Sequence, residues 1–160
     1  MDFKFTDENL KRIEEVQKKY PVKRAAVMPV LWIAQEQNRW ISGEVMKEVA
    51  SILEITPEEV LGVVTFYTMY HQKPMGKYHI QVCTNVSCML KGGYQIYEHV
   101  KEKLELNNLE VSENMQFSLE EVECMGSCGT APMIAVNEDY FENLDINQTD
   151  KILESLKNKN

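Results

Sequence analysis

Long apolar runs and a concentration of basic charge are both missing from this 160-residue chain. A helix that crosses a membrane needs about 18 to 20 apolar residues in a row, so we expect no direct membrane insertion. The chain carries 17 Lys and Arg against 25 Asp and Glu, a formal net charge of -8. Because binding to phosphate needs a concentrated basic face, this balance argues against a nucleic-acid partner.

Cysteine is scarce, and its few positions are informative. The four cysteines fall in two pairs, Cys83-Thr-Asn-Val-Ser-Cys88 and Cys124-Met-Gly-Ser-Cys128. Neither pair has the C-x-x-C spacing of a thioredoxin-type dithiol. We expect no disulfides, because no apolar signal segment directs the chain to an oxidising compartment. His71, His79 and His99 lie outside both pairs, which argues against a Rieske centre with its two histidine ligands.

Two kinds of metal centre use four thiolates. A 2Fe-2S cluster takes four cysteine ligands, and short spacings let one loop present two sulfurs to one iron. Structural zinc also takes four cysteines, usually in C-x2-C to C-x4-C pairs with turn glycines in each pair. The C-x4-C and C-x3-C pairs of this chain favour the iron-sulfur cluster and leave zinc as an alternative.

Small and hydroxyl-bearing residues surround the cysteines. Gly126 and Gly129 leave the second loop without bulk, so that backbone N–H groups can approach sulfur. The hydroxyl donors are Thr84, Ser87, Ser127 and Thr130. Hydrogen bonds to sulfur tune the reduction potential of a cluster. We therefore expect all six residues to donate hydrogen bonds to sulfur, the glycines through their backbone N–H groups. Taken alone, the glycines are equally typical of an ordinary turn.

These segments resemble the signature loops of the thioredoxin-like 2Fe-2S ferredoxins. The matching residues are Cys83-Thr-Asn-Val-Ser-Cys88-Met-Leu-Lys-Gly-Gly, Glu123-Cys124-Met-Gly-Ser-Cys128-Gly-Thr-Ala-Pro-Met133 and, upstream, Gly62-Val-Val-Thr-Phe-Tyr-Thr-Met-Tyr70. The resemblance covers essentially the whole chain and is to the peripheral-arm subunits of respiratory NADH:quinone oxidoreductase (complex I). It implies a 2Fe-2S cluster with the ligands Cys83, Cys88, Cys124 and Cys128, and no catalytic acid, base or nucleophile in this chain.

The resemblance also implies partners and a location. The first partner is a flavoprotein subunit that holds FMN and binds NADH, with one-electron exchange between FMN and the cluster, and other peripheral-arm subunits follow. The expected location is cytoplasmic, at the inner face of the cell membrane through the complex. Three alternatives stay open: the equivalent subunit of a soluble NAD-linked hydrogenase or formate dehydrogenase, a stand-alone ferredoxin, and a zinc-stapled interaction module.

Hydrophobic periodicity predicts an α+β or α/β protein in two regions. Residues 1–72 show helical periodicity, with Ser42 and Thr56 as N-caps and a second helix from about Val22 to Arg39. Residues 73–160 show the strand and helix order of a thioredoxin-like domain with a four-stranded mixed sheet.

Within the second region, a strand ending at Cys83 precedes a long helix that we expect Cys88 to open, where the helix N-terminus would stabilise a thiolate. Gly92 and Gly93 indicate close packing beneath this loop. A strand break near residues 120–121 should precede a short strand ending at Cys124. A hairpin around residues 137–139 and a last helix after Asp145 complete the domain.

Overall fold

The computed structural model describes residues 3–158 of the chain. They form α-helices and one mixed five-stranded sheet, which confirms the predicted fold class. The chain divides into two compact units, with the boundary between Pro74 and Met75. Among residues 3–158, none of the helices combines the length and the apolar character needed to cross a membrane.

The N-terminal unit is helical. It contains α1 (Asp7–Gln17), a 3-10 turn (Lys23–Ala26), α2 (Val27–Asn38), α3 (Gly43–Leu53) and α4 (Pro57–Phe66). Ser42 and Thr56 cap α3 and α4 as predicted, and Thr56 forms a capping box with Glu59. The second helix is shorter than predicted, because the 3-10 turn takes its first residues and Arg39, at φ 70°, ends it in a left-handed conformation.

The C-terminal unit contains the sheet. Its elements are β1 (Tyr78–Cys83), α5 (Val86–Leu90), α6 (Gly93–Leu104), β2 (Glu110–Val111), β3 (Phe117–Val122), a 3-10 turn (Cys128–Thr130), β4 (Ile134–Val136), β5 (Asp139–Phe141) and α7 (Ile146–Lys157). The strand order is β2-β3-β1-β4-β5, with β1 and β3 parallel and the other neighbours antiparallel. The prediction of four strands missed β2, because two residues are too few to show alternation.

The two faces of the sheet carry different side chains. Ile80 and Val82 of β1 and Leu119 of β3 face the main core, which α6 and α7 cover with Ile96, Tyr97, Val100, Leu153 and Leu156. The residues at the alternate positions of these strands, including Cys83, lie on the opposite face of the sheet, because successive side chains of a strand point to opposite faces. The predicted hairpin forms as β4 and β5, and Asp145 caps α7 with Gln148 as predicted.

The predicted break in the third strand is wrong. β3 is continuous and pairs with β1 from Phe117 to Val122. The apolar residues of β3 switch from odd to even positions because they pack in two different clusters. Phe117 and Leu119 belong to the main core, whereas Val122 packs beside Cys83. The switch in the sequence therefore marks a change of packing partner and not a bulge.

Candidate metal centre at the cysteine loops

Neighbouring parallel strands bring the two cysteine loops to one edge of the sheet. In the register of β1 and β3, Cys83 lies opposite Val122, so the loops that follow both strands start side by side. The backbone N–H of Thr84 donates to the carbonyl oxygen of Val122 over 3.1 Å. The Sγ atom of Cys83 lies 3.6 Å from the carbonyl oxygen of Glu123, the residue before Cys124. Strand pairing thus holds Cys83, the first cysteine of its pair, near Cys124, the first cysteine of the second pair.

Cys88 does not open the long helix, contrary to the prediction. It lies inside the short helix α5, which begins after the cap residue Asn85, whose Oδ1 accepts a hydrogen bond from Val86 N. Gly92, at φ 99°, separates α5 from α6. A left-handed residue interrupts the helix, and glycine adopts this conformation without steric cost.

The predicted close packing below the first loop is confirmed at Gly93. A Cβ atom added there would lie 2.8 Å from the carbonyl oxygen of Cys83 and 2.9 Å from the carbonyl carbon and oxygen of Cys88. No side chain fits this close to two backbone segments. Gly93 therefore holds both cysteines of the first pair against the start of α6.

The first pair is buried, and burial affects the protonation of Cys88. Cys83 and Cys88 are 4% and 2% exposed, and they pack with Ala131 and Met133 in a small apolar cluster. Burial first, and then the neighbouring Cys83 and Cys128, raise the pKa of Cys88 to about 11. The stabilisation of a ligand thiolate at Cys88 by a helix N-terminus stays a prediction. A cation that binds here must displace the thiol proton, so binding is coupled to proton release.

The second pair lies on a more exposed loop. Cys124 and Cys128 are both exposed, and the N–H of Gly126 donates to the Sγ atom of Cys124 over 3.4 Å. Cys128 begins the 3-10 turn that packs against α5, which brings it near Cys88. The structure thus brings the two pairs to neighbouring loops, with Cys128 near Cys88 and Cys124 next to the residue whose carbonyl oxygen meets Cys83. Within residues 3–158, no three His, Cys, Asp or Glu side chains converge on one point as a site for a single ion.

The donor set fits an iron-sulfur cluster. All four thiols are free, and they lie on two loops at one sheet edge. A Cβ atom added to Gly126 or Gly129 would meet no atom within 4 Å, so the second loop is open on the side of both glycines. Four thiolates from two adjacent loops are the ligands that such a cluster requires.

The predicted hydroxyl donors act on carboxylates. Thr84 Oγ1 donates to Glu121 Oε1 over 2.8 Å, and Thr130 Oγ1 donates to Glu142 Oε1 over 2.7 Å. Ser127 also donates to Glu142, and Ser87 lies half-buried in α5. The hydroxyls of Thr84 and Thr130 therefore donate to carboxylates in this structure, and the potential-tuning role expected of them stays a prediction.

Sequence reasoning missed the residues that accept these hydrogen bonds. Glu121 and Glu142 lie outside both cysteine motifs, as does Tyr140, whose hydroxyl donates to the carbonyl oxygen of Met125 over 3.2 Å. No local pattern identifies them, because strand pairing alone brings them to the loops.

The C-terminal unit has an α+β fold with four free thiols on adjacent loops at one sheet edge, the donor set expected of a metal centre with thiolate ligands. Residues 13–157 match the family model of the thioredoxin-like [2Fe-2S] ferredoxins. The chain belongs to this family, which confirms the predicted family and the predicted 2Fe-2S cofactor.

Curated relatives share most of the chain. It is 42% identical over 160 residues to the E subunit of NADH-quinone oxidoreductase from Rickettsia bellii, covering 98% of this chain and 96% of the relative. It is 41% identical over 145 residues to the E 2 subunit of NADH-quinone oxidoreductase from Rhizobium meliloti, covering 91% of this chain and 86% of the relative.

A solved structure shares the fold. The NAD+-reducing [NiFe]-hydrogenase in its H2-reduced state superposes with a TM-score of 0.72 at 17% identity. The match covers 81% of this chain and 22% of the hydrogenase chain. At this identity the likeness is one of fold.

Proposed function

We propose that this chain is the electron-transfer E subunit of an NADH-quinone oxidoreductase and carries one 2Fe-2S cluster. The ligands are Cys83, Cys88, Cys124 and Cys128. The observation that carries the proposal is the pairing of β1 with β3, which places both cysteine pairs at one sheet edge in a chain related to these E subunits over 98% of its length.

The protein supplies the environment for the cluster. When bound, the cluster accepts and releases one electron at a time. Cys83 and Cys88 are shielded from water by Ala131 and Met133. The ladder between β1 and β3 sets the spacing of the loops. No side chain of the site needs to act as acid, base or nucleophile for electron transfer.

The electron partner is a flavoprotein subunit that holds FMN and binds NADH. Electron exchange requires that the flavin approach the cysteine loops, and the helix α5 offers a contact surface there. Val86, Met89 and Leu90 of this helix are 58%, 44% and 77% exposed. Exposed apolar side chains grouped on one element are typical of a protein–protein interface. Other peripheral-arm subunits complete the assembly, which holds the chain at the inner, cytoplasmic face of the cell membrane.

A second candidate function is the equivalent subunit of a soluble NAD-linked hydrogenase or formate dehydrogenase. The fold shared with the NAD+-reducing hydrogenase supports it, whereas the relatives from NADH-quinone oxidoreductases support the respiratory complex. Co-purification from detergent-treated whole-cell extract separates the two. Recovery with membrane-embedded subunits supports the respiratory complex, and recovery with a soluble hydrogenase subunit contradicts it.

The cluster is tested first on the purified chain. Iron equal to labile sulfide, with visible charge-transfer absorption, is the expected result. A colourless protein that contains zinc would contradict the proposal and restore the zinc-stapled module.

The four ligands are tested by single Cys→Ala changes at positions 83, 88, 124 and 128. Each change removes a thiolate that no neighbouring cysteine can replace, so we expect loss of the cluster or at least a tenfold faster loss to a chelator, about 1.4 kcal/mol. EPR of the reduced protein and iron analysis measure the result. A variant that keeps the wild-type EPR signal removes its cysteine from the ligand set.

A further inference from the structure

Strand β5 and the residues that follow it hold the second cysteine loop from one side. Tyr140 donates its hydroxyl hydrogen to the carbonyl oxygen of Met125 over 3.2 Å. Glu142 accepts hydrogen bonds from the hydroxyls of Ser127 and Thr130, the latter over 2.7 Å. Ser127 precedes Cys128, and Thr130 follows it by two residues. The Glu142 carboxylate therefore binds the chain by hydrogen bonds on both sides of Cys128.

Backbone contacts hold the far side of the same turn. Asn143 N donates to the carbonyl oxygen of Thr130 over 2.7 Å, and Leu144 N donates to that of Pro132 over 3.0 Å. Inside the turn, Thr130 N donates to the carbonyl oxygen of Ser127 over 3.1 Å. The strand end thus fixes the residues after the turn through the backbone. Around Cys128 itself, the Glu142 side chain adds to a contact within the turn, in which Thr130 Oγ1 lies 3.2 Å from the carbonyl oxygen of Ser127.

Glu142 is suited to this role by its charge. Hydrogen bonds from hydroxyls to a carboxylate are stronger than those between neutral groups. The hydroxyls of Ser127 and Thr130 lower the pKa of Glu142 below its ordinary value, so the side chain is ionised at neutral pH. A fixed negative charge beside a redox centre disfavours the addition of an electron, although solvent screens an exposed carboxylate.

We propose that Glu142 is a positioning residue that fixes Cys128 for cluster ligation and lowers the reduction potential of the cluster bound there. The proposal rests on the proposed function for its second half. Its first half concerns the loop alone and holds in the metal-free chain.

The loop is tested by amide hydrogen exchange on the full-length, metal-free chain. The probe is the Thr130 amide, which donates within the turn. We expect exchange in Glu142→Ala to be at least several-fold faster than in the wild type, and a smaller increase in Glu142→Gln, which keeps an acceptor oxygen. Glu138→Gln is the matched control, since Glu138 lies on the turn at the opposite end of the same hairpin. Unchanged Thr130 exchange in Glu142→Ala overturns the positioning role.

The charge is tested by redox titration of the loaded full-length chain, followed by EPR. Glu142→Gln should have a more positive midpoint potential than the wild type, and the shift should exceed that of Glu138→Gln. Equal shifts in the two variants overturn the electrostatic role. Ser127→Ala and Thr130→Val each remove one of the two hydrogen bonds, so each should lose the cluster to a chelator at a rate between those of the wild type and Glu142→Ala.

The two tests separate the inference from the proposed function. A chain that binds no iron refutes the proposed function, while the exchange measurement still decides whether Glu142 holds the loop. A chain that binds the cluster and shows neither effect refutes the role of Glu142 and leaves the proposed function intact.

Discussion

Gly93 shows how one residue without a side chain shapes the first cysteine pair. The carbonyl oxygen of Cys83 and the carbonyl group of Cys88 lie within 2.9 Å of the place where a Cβ atom would stand. Gly129, which lies beside Cys128, has open space at the same place. The two glycines therefore differ in role: packing requires Gly93, whereas the protein leaves room for a methyl group at Gly129.

This difference predicts the outcome of a paired substitution. Gly93→Ala should destabilise the C-terminal unit by about 1–3 kcal/mol, because overpacking against backbone forces the first loop to move. Gly129→Ala is the matched control and should leave stability within about 0.5 kcal/mol of the wild type. Guanidinium unfolding followed by far-UV circular dichroism measures both. Trp32 and Trp40 lie in the N-terminal unit, so their fluorescence reports on that unit separately. Equal stability of the two variants would mean that the first cysteine loop moves to accommodate the methyl group with no loss in the free energy of unfolding.

At the scale of elements, charged side chains join α6 to α7 beside the main core. Lys103 Nζ lies 2.6 Å from Asp150 Oδ1 and 3.1 Å from Glu154 Oε1, and His99 Nε2 lies 2.7 Å from Asp150 Oδ1. The hydrogen bond from Lys103, and then that from His99, lowers the pKa of Asp150 below its ordinary value of 3.8. These pairs align the two helices over the same face of the sheet.

The lowered pKa of Asp150 predicts a dependence on pH. A carboxylate whose pKa is depressed in the folded state stabilises that state above its unfolded pKa, and this contribution is lost as pH falls through the folded value. Asp150→Asn should therefore unfold at a lower temperature at neutral pH and lose less stability on acidification. Thermal unfolding of the full chain from about pH 7 to pH 3 measures the effect.

The control for this experiment is Asp139→Asn, which changes an exposed aspartate on β5. Its loss of stability on acidification should equal that of the wild type. If Asp150→Asn also loses as much stability as the wild type on acidification, the ion pairs between α6 and α7 add nothing measurable to the stability of the fold.

At the scale of the whole molecule, the chain holds two separate apolar cores. One is made by α1 to α4 and the other by the sheet with α6 and α7. The small apolar cluster around Cys83 and Cys88 belongs to the second unit, as do all four cysteines. We therefore propose a functional division of the chain: residues 73–160 hold the cluster, and residues 1–72 contribute to docking on the flavoprotein. Exposed apolar residues on α4 and just after it support the docking role, namely Leu61, Phe66, Tyr67 and Met69.

A fragment that begins at Lys73 tests this division. It should bind iron and sulfide in the same ratio as the full chain, because it contains every ligand and the packing around them. It should co-purify less well with the flavoprotein subunit. Phe66→Ser in the full chain is the matched test of the docking surface, since this side chain is 77% exposed and its replacement leaves the core intact. Full recovery of the fragment with the partner would place docking elsewhere.

The sequence by itself determined the features that depend on neighbouring residues. The caps at Ser42, Thr56 and Asp145 were predictable because a cap joins residues three positions apart. The cysteine pairs pointed to the family for the same reason, since each pair lies within a short loop. The alternation of β1 also predicted the strand that ends at Cys83.

Only the tertiary structure decided which partners the loops meet. The burial of Cys88 depends on Ala131 and Met133, and the hydroxyl of Thr130 donates to Glu142 because β5 returns beside the second loop. The continuity of β3 follows from two clusters on opposite faces of the sheet. Strand pairing and packing join residues that are distant in the chain, and their geometry depends on the whole fold rather than on any local pattern.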